Sequence, residues 1–351
     1  MRYPFTTHRM AWTRLSRFLG YLTLGLSAGC TATPQVAHQP GVSADLHEFL
    51  MADTTKGAGI LFGRLDSLSA IPHVWTEGAI SNNSDLRLGC PTAKPLLAFV
   101  ALREGIDLDS AIDRWFPEDS GYTGARRIRV KHLLLNSSGI RDYVSLAPFH
   151  PDSTFTPVNS IERAYRHQPL LFEPGAHFDY SNTNFNLLGR ILELSTGKSV
   201  LQLFRDHFHA YAPSLRLDDG KGKYPNGYPN PWPYHWSAPG FGGGFIGSAV
   251  DAMRVICFVA AQPEFKQMTQ WYTPTGSISS ESSENLLGLG ILGKSHFAGL
   301  GQGVVYEGNM GPTLMIIARL RGSIFYIATT HTMEPAKLSE LFRKLIQSSV
   351  H

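Results

Sequence analysis

Apolar and polar positions divide this chain into a strand-rich start, a helix-rich middle and a strand-rich end. Residues 57–65 and 73–80 are dense in β-branched, aromatic and aliphatic side chains and predict the two strands of a hairpin. Before them, Asp45 opens a short helix with Leu46, Phe49 and Leu50 on one face. Residues 81–84 are loop. A helix then runs through Phe99 to about Glu104 and stops at Gly105. Ile112, Trp115 and Phe116 predict another helix, ending at Pro117. Residues 130–135 predict a third, broken at Ser137-Ser138-Gly139, and residues 161–167 a fourth after a loop at 148–157. Leu187, Leu188, Ile191, Leu192 and Leu194 predict a longer helix with Gly197 as its stop.

Residues 218–239, rich in Gly, Pro, Tyr and Trp, form a long loop of the kind that often carries function. Five glycines in residues 240–247 precede a helix through Met253, Ile256 and Val259. Residues 287–292, 304–306, 314–320 and 324–330 read as antiparallel strands, and residues 335–346 as an amphipathic closing helix. The pattern predicts an α+β fold: an antiparallel sheet flanked by helices, with a mostly helical inserted part. On this reading the sheet subdomain takes about 45–80 and 285–351, and the helical subdomain about 86–284.

Composition narrows the function classes. With 351 residues, 43% of them hydrophobic, the chain can bury a large core. A dispersed net charge of +3 with no basic stripe argues against nucleic acid as a partner. The three cysteines, Cys30, Cys90 and Cys257, make no disulfide framework. No His, Cys, Asp and Glu cluster has metal-ligand spacing, so neither metal nor cofactor is expected.

The first thirty residues carry an address. Arg2, Arg9, Arg14 and Arg17 precede a short apolar run at 18–26, followed by Ser27-Ala28-Gly29-Cys30. This is the pattern of a secretory signal, too short to span a membrane. The small residues before Cys30 resemble a bacterial lipoprotein cleavage site, with Ser27 where Leu is more usual. That resemblance implies a lipid on Cys30 and a membrane-anchored or periplasmic protein of the bacterial envelope. Residues 31–44 then read as a tether to the mature domain at 45–351. Cys90 and Cys257 are expected as free thiols in an oxidising compartment.

The candidate chemistry begins at Leu88-Gly-Cys-Pro-Thr-Ala-Lys94. Pro91 suits a first helical position, which makes Cys90 the N-cap and sets Lys94 one turn on. A helix N-terminus and a nearby cation favour the thiolate, so Cys90 has the surroundings of an activated nucleophile. A buried structural Cys and a solvated Lys fit the same residues.

Further motifs carry a family resemblance. His132-Leu133-Leu134 with Asn136-Ser137-Ser138-Gly139-Ile140 and Asp142-Tyr143 is one. Phe172 to Gly175, then Phe178, Tyr180-Ser181-Asn182, Asn184-Phe185 and Leu188-Gly189, is a second. Residues 104–109 and the glycine-rich 240–247 with Ala249 and Asp251 are two more. In this order they resemble the serine β-lactamase and penicillin-binding-protein superfamily, on the class C-like, D-peptidase and esterase branch.

The resemblance implies a β-lactamase/transpeptidase-like fold and acyl transfer. In that chemistry a Ser at a helix start attacks a carbonyl, a Lys three residues later helps to deprotonate it, a Tyr-x-Asn loop moves protons and holds substrate, and a late strand with Lys or His before Gly borders the site. Tyr180 and Asn182 match. The nucleophile motif does not: three residues before Lys94 stands Pro91, and three after Cys90 stands Ala93.

Three readings stay open. Cys90 is a thiol nucleophile with Lys94 as base; Thr92 is a hydroxyl nucleophile, which its two-residue spacing from Lys94 opposes; or the pocket binds without covalent chemistry. His296-Phe297-Ala298 falls where the late-strand motif is expected, which puts His296 and Ala298 beside the substrate. His132, His177 and His331 read as structural. The aromatic loop at 224–236 offers a flat apolar wall. The expected protein is an exported, monomeric hydrolase or acyltransferase taking an amide, ester or peptide. The alternative is a non-catalytic homologue that binds a peptidoglycan-like or acyl ligand.

Overall fold

The computed structural model describes residues 35–36, 40–52, 58–82, 84–146, 156–217, 240–272, 285–294, 297, 303–310, 313–330 and 334–349, all within one compact unit, Pro34–His351. The signal segment and Cys30, the loop at 224–236, His296, Ala298 and His331 lie outside the described residues.

Strand β1 (Gln35–Val36) and helix α1 (Pro40–Met51) come first, followed by β2 (Gly59–Leu65), β3 (His73–Gly78) and β4 (Leu86–Arg87). The middle holds α2 (Gly89–Arg103), α3 (Val130–Leu134), α4 (Pro157–Ala164), α5 (Asn182–Thr196), α6 (Val200–Phe208), β5 (Arg216–Leu217), β6 (Phe245–Gly247), α7 (Ala249–Ala260) and α8 (Pro263–Met268). The end returns to strands: β7 (Asn285–Gly288), β8 (Ile291–Lys294), β9 (Gly303–Met310), β10 (Thr313–Leu320) and β11 (Ser323–Thr329), closed by α9 (Pro335–Ser349).

The described strands form an eight-stranded sheet in the order β1-β3-β2-β11-β10-β9-β8-β7. The two chain ends meet where β11 pairs antiparallel with β2, Ile327 opposite Phe62. A small sheet, β4-β6-β5, ties the start of α2 to the segment after the glycine-rich turn. This is the α+β plan that the hydrophobic pattern predicts.

Period-two alternation decides which face each strand residue buries. Ile60, Phe62, Phe325 and Ile327 face α1 and α9, where they pack with Val42, Leu46, Phe342 and Leu345. Leu61, Ile324, Tyr326 and Met315 face the other way, toward Leu97 of α2 and Met253 of α7. Helix α2 lies inside the molecule. Its residues 96–101 are all fully buried, which is why its sequence is apolar on every side.

Several boundaries differ from the expectation. Helix α1 starts at Pro40, so the second part of the expected tether belongs to the fold; Val42 is buried beside Leu46. The region of Ile112 makes only a single 3₁₀ turn, Ile112–Arg114, because its apolar residues are too few to extend it. Helix α4 begins at Pro157, capped by the Thr156 side chain, and ends at Ala164, before residue 167. Helices α6 and α8 were not expected. The stretch at 287–292 is two strands, because Gly290 turns the chain with φ +69 between β7 and β8.

Candidate active site

Lys94 organises the site. It sits on α2, 5% exposed, inside a helix otherwise given over to the core. A buried ammonium is costly unless it is held by acceptors. Its Nζ donates to Asn182 Oδ1 at 2.9 Å and to the Gly242 carbonyl at 2.7 Å. The same nitrogen lies 4.9 Å from the Tyr180 ring centre and 5.1 Å from that of Phe185, within cation–π range. An ammonium has three N–H donors, and two are accounted for among the described residues.

Tyr180 and Asn182 are brought to Lys94 by the start of α5. Tyr180 Oη donates to Asn182 Oδ1 at 3.2 Å, so that oxygen accepts from both the phenol and the ammonium. The amide nitrogen of Asn182 donates to Asp142 Oδ2 at 2.9 Å. A carboxylate can only accept at that position, so it fixes the amide's orientation and turns Oδ1 toward Lys94. Burial raises the pKa of Asp142; the bond from the Val144 N–H, the charge of Lys94 and the Asn182 contacts oppose that shift.

The first turns of α5 also gather the walls of the site. Ser138 Oγ donates to Asn184 Oδ1 at 2.6 Å, and Asn184 Nδ2 donates to Asn136 Oδ1 at 3.1 Å. The Tyr143 N–H donates to Thr183 Oγ1 at 3.0 Å. Asn186, fully buried, accepts from the Phe241 N–H at 2.9 Å and donates to Ser160 Oγ at 2.6 Å. These bonds pin the Gly240–Gly242 turn, the one that presents its carbonyl to Lys94. Gly240 has φ +52, and a Cβ there would stand 2.6 Å from Asn186 Oδ1. Only glycine fits.

The nucleophile region departs from the expected cap. Helix α2 begins at Gly89 with Leu88 as N-cap, so Cys90 is its second residue and Pro91 its third. The side chains of Cys90 and Pro91 lie outside the described set. On backbone position, Cys90 is in the first turn, where N–H groups have no partner within the helix, four residues before Lys94. Pro95 removes the amide that would bond the Pro91 carbonyl, so this first turn is loosely tied to the rest of α2. Thr92 is fully buried and its hydroxyl has no partner among the described residues. Spaced two residues from Lys94, it faces another side of the helix.

Of the described strands, β9 packs most extensively on α2, with β6 and β10 also touching it. Strand β9 carries Tyr306-Glu307-Gly308, with Gly308 opposite Met315. That is a strand triplet ending in glycine, and it was not picked out from the sequence because no Lys or His leads it. Of the histidines, His132 is partly buried, and its Nδ1 accepts the Arg129 N–H at 3.1 Å. Burial, with Lys131 and Arg129 nearby, pushes its pKa down to about 4. This is the structural role expected of it. His177 is exposed. Among the described residues no group of His, Cys, Asp and Glu could hold a metal ion.

Comparison with known proteins places this geometry. The family model described as Beta-lactamase matches residues 92–345. A D-aminopeptidase of Brucella anthropi is 26% identical over 164 residues, which cover 44% of this chain and 31% of that relative. The chain therefore spans about a third of that protein's length. Among solved structures, a D-stereospecific amidohydrolase from Streptomyces sp. superposes with TM-score 0.64 at 22% identity, over 82% of this chain and 93% of its own. A D-amino acid amidase from Ochrobactrum anthropi SV3 gives TM-score 0.70 at 17% identity, over 88% and 99%. Those two likenesses establish the β-lactamase/transpeptidase fold.

Proposed function

Because the chain belongs to the beta-lactamase family, and because Lys94 is held by Asn182 and Gly242 against the Tyr180 ring, we propose that it hydrolyses an amide or short peptide with a D-amino acid on the acyl side, through a thioester on Cys90. The constellation of buried Lys94 with half-buried Tyr180 and Asn182 carries this reading. The D-aminopeptidase relative and the D-amino acid amidase neighbour supply the substrate class.

In this reaction Cys90 acts as the thiolate of a thiolate–ammonium pair with Lys94 and attacks the carbonyl carbon. Free N–H groups at the start of α2 stabilise the oxyanion. As the C–N bond breaks, Tyr180 Oη delivers a proton to the leaving amine, the Lys94 ammonium replaces it, and a thioester remains. Water gives its proton through Tyr180 to the now neutral Lys94, attacks the thioester, and releases the acid and the Cys90 thiolate. Asn182 holds the acyl-side amide. The leader ending at Cys30 supports placing this chemistry outside the cytoplasm, with a lipid on Cys30 as tether.

Cys90→Ala should abolish hydrolysis of D-phenylalanine amide by at least about a thousandfold while leaving the thermal transition in place. Unchanged turnover in that variant would remove Cys90 from the mechanism. One observation favours a second reading: Pro91, with no reactive group, stands three residues before Lys94. A pocket that binds the D-amino amide without cleaving it would show saturable binding and no product.

A further inference from the structure

A second group of cations stands away from Lys94. β10 turns into β11 through Arg321-Gly322, and both turn residues take left-handed backbone, with φ +50 and +93. Gly, Asn or Asp is the ordinary choice for such a turn, and Arg strains it. Arg319, two residues earlier on the same strand, holds its guanidinium 5.3 Å from the Phe265 ring centre. Arg319 is half-buried and Arg321 exposed. Neither guanidinium has an ion pair or hydrogen bond with a described residue.

Both arginines open into one cleft of about 270 Å³, between α8 and the Gly303 end of β9, with Thr269, Trp271 and Val304 on its walls. No carboxylate is among its described lining residues. The Thr269 hydroxyl donates its proton to the Phe265 carbonyl at 2.8 Å, so it offers no donor of its own. Among its described lining residues, the charged donors are the two guanidinia. Two cations lining one cleft with no described carboxylate leave positive charge unmatched there, which an oxyanion taken in bidentate fashion would offset.

The cleft is separate from the Lys94 site. Helix α8 packs at the far end of α2, where Arg103 Nε meets Glu264 Oε1 at 3.2 Å. Lys94 and Arg103 are nine residue steps apart on α2, a rise of about 13.5 Å.

We propose that this cleft binds a small oxyanion, a phosphate or a dicarboxylate, between Arg319 and Arg321. The experiment is thermal unfolding of the whole chain in inorganic phosphate and in malonate, each against sodium chloride of equal ionic strength. Wild type gains a saturable rise in melting temperature with one or both anions; phosphate alone marks a phosphoryl ligand and malonate alone a carboxylate. In Arg321→Gly the strained turn is relieved, so the variant folds at least as well in chloride, yet anion affinity drops at least fivefold. Arg319→Gln with Arg321→Gly abolishes the rise. Arg126→Gln, remote on the surface, keeps it. No saturable rise in wild type, or an equal rise in Arg321→Gly, overturns the proposal. None of these readouts depends on turnover at Cys90.

Discussion

A buried ammonium such as that of Lys94 is tolerated only because Asn182, Gly242 and two aromatic faces surround it. The sequence displays three of these groups directly: Lys94 by its place after the helix start, and Tyr180 and Asn182 by their spacing. Asp142 and Gly242 fall within motifs that carry the resemblance, but nothing in the sequence shows that they reach Lys94 and Asn182 from segments distant in the chain. Asp142 orients the Asn182 amide, and burial raises its pKa. As pH falls, it therefore takes up its proton above the usual carboxylate range and loses its strength as acceptor. The acid limb of the pH–rate profile should lie in that range, and Asp142→Asn should flatten it while lowering kcat; an unmoved limb would assign it to another group. His132 gives a second pH effect. Its folded form stays neutral down to about pH 4, whereas the unfolded chain binds a proton from about pH 6.5. That contribution to stability is present at neutral pH and is lost as pH falls from 6.5 toward 4. Urea midpoints across this range should decline less steeply in His132→Gln.

Among the secondary-structure elements, α5 does most to assemble the site. Its apolar stripe and Gly197 stop made it legible, but the polar residues of its first turns, Asn184 and Asn186, gave no sign of the loops they hold. Asn186→Ala leaves the Phe241 amide unpartnered and removes the donor that Ser160 Oγ accepts from, while Ser160 keeps its bond to the Pro157 carbonyl, at a cost of about 1–3 kcal/mol. It should also lower kcat more than it raises KM, because the Gly242 carbonyl loses its fixed place at Lys94. A change in stability with intact kinetics would limit Asn186 to scaffolding. Helix α6 could have been found: Ser199 caps it, and Val200, Leu203, Phe204 and Phe208 follow at helical spacing. The β7–β8 hairpin was harder to find, since a single Gly290 between apolar residues reads equally well as a continuous strand. Its glycine is required by contact: a Cβ there would stand 2.8 Å from the Lys94 carbonyl.

At the scale of the whole molecule, the sheet is closed by both chain ends, and α1 and α9 share its outer face. Hydrophobic alternation made this plan legible. The start of α1 was obscured because Pro40 and Gly41 look like tether. Removing residues 1–33 should leave the thermal transition unchanged. Leu46→Ala, a truncation in the packed layer between α1 and the sheet, should cost about 2–5 kcal/mol without altering KM. Equal stability in that variant would return α1 to the status of a tether.

The central claim is a covalent intermediate at Cys90 served by Lys94. Intact-protein mass spectrometry, with peptide mapping after incubation with an activated D-phenylalanine ester, tests it most directly. The account predicts one added D-phenylalanyl group on Cys90, decaying with time in wild type and absent in Cys90→Ala. A folded protein that cleaves the ester with its label elsewhere, or that never acquires one, would contradict it.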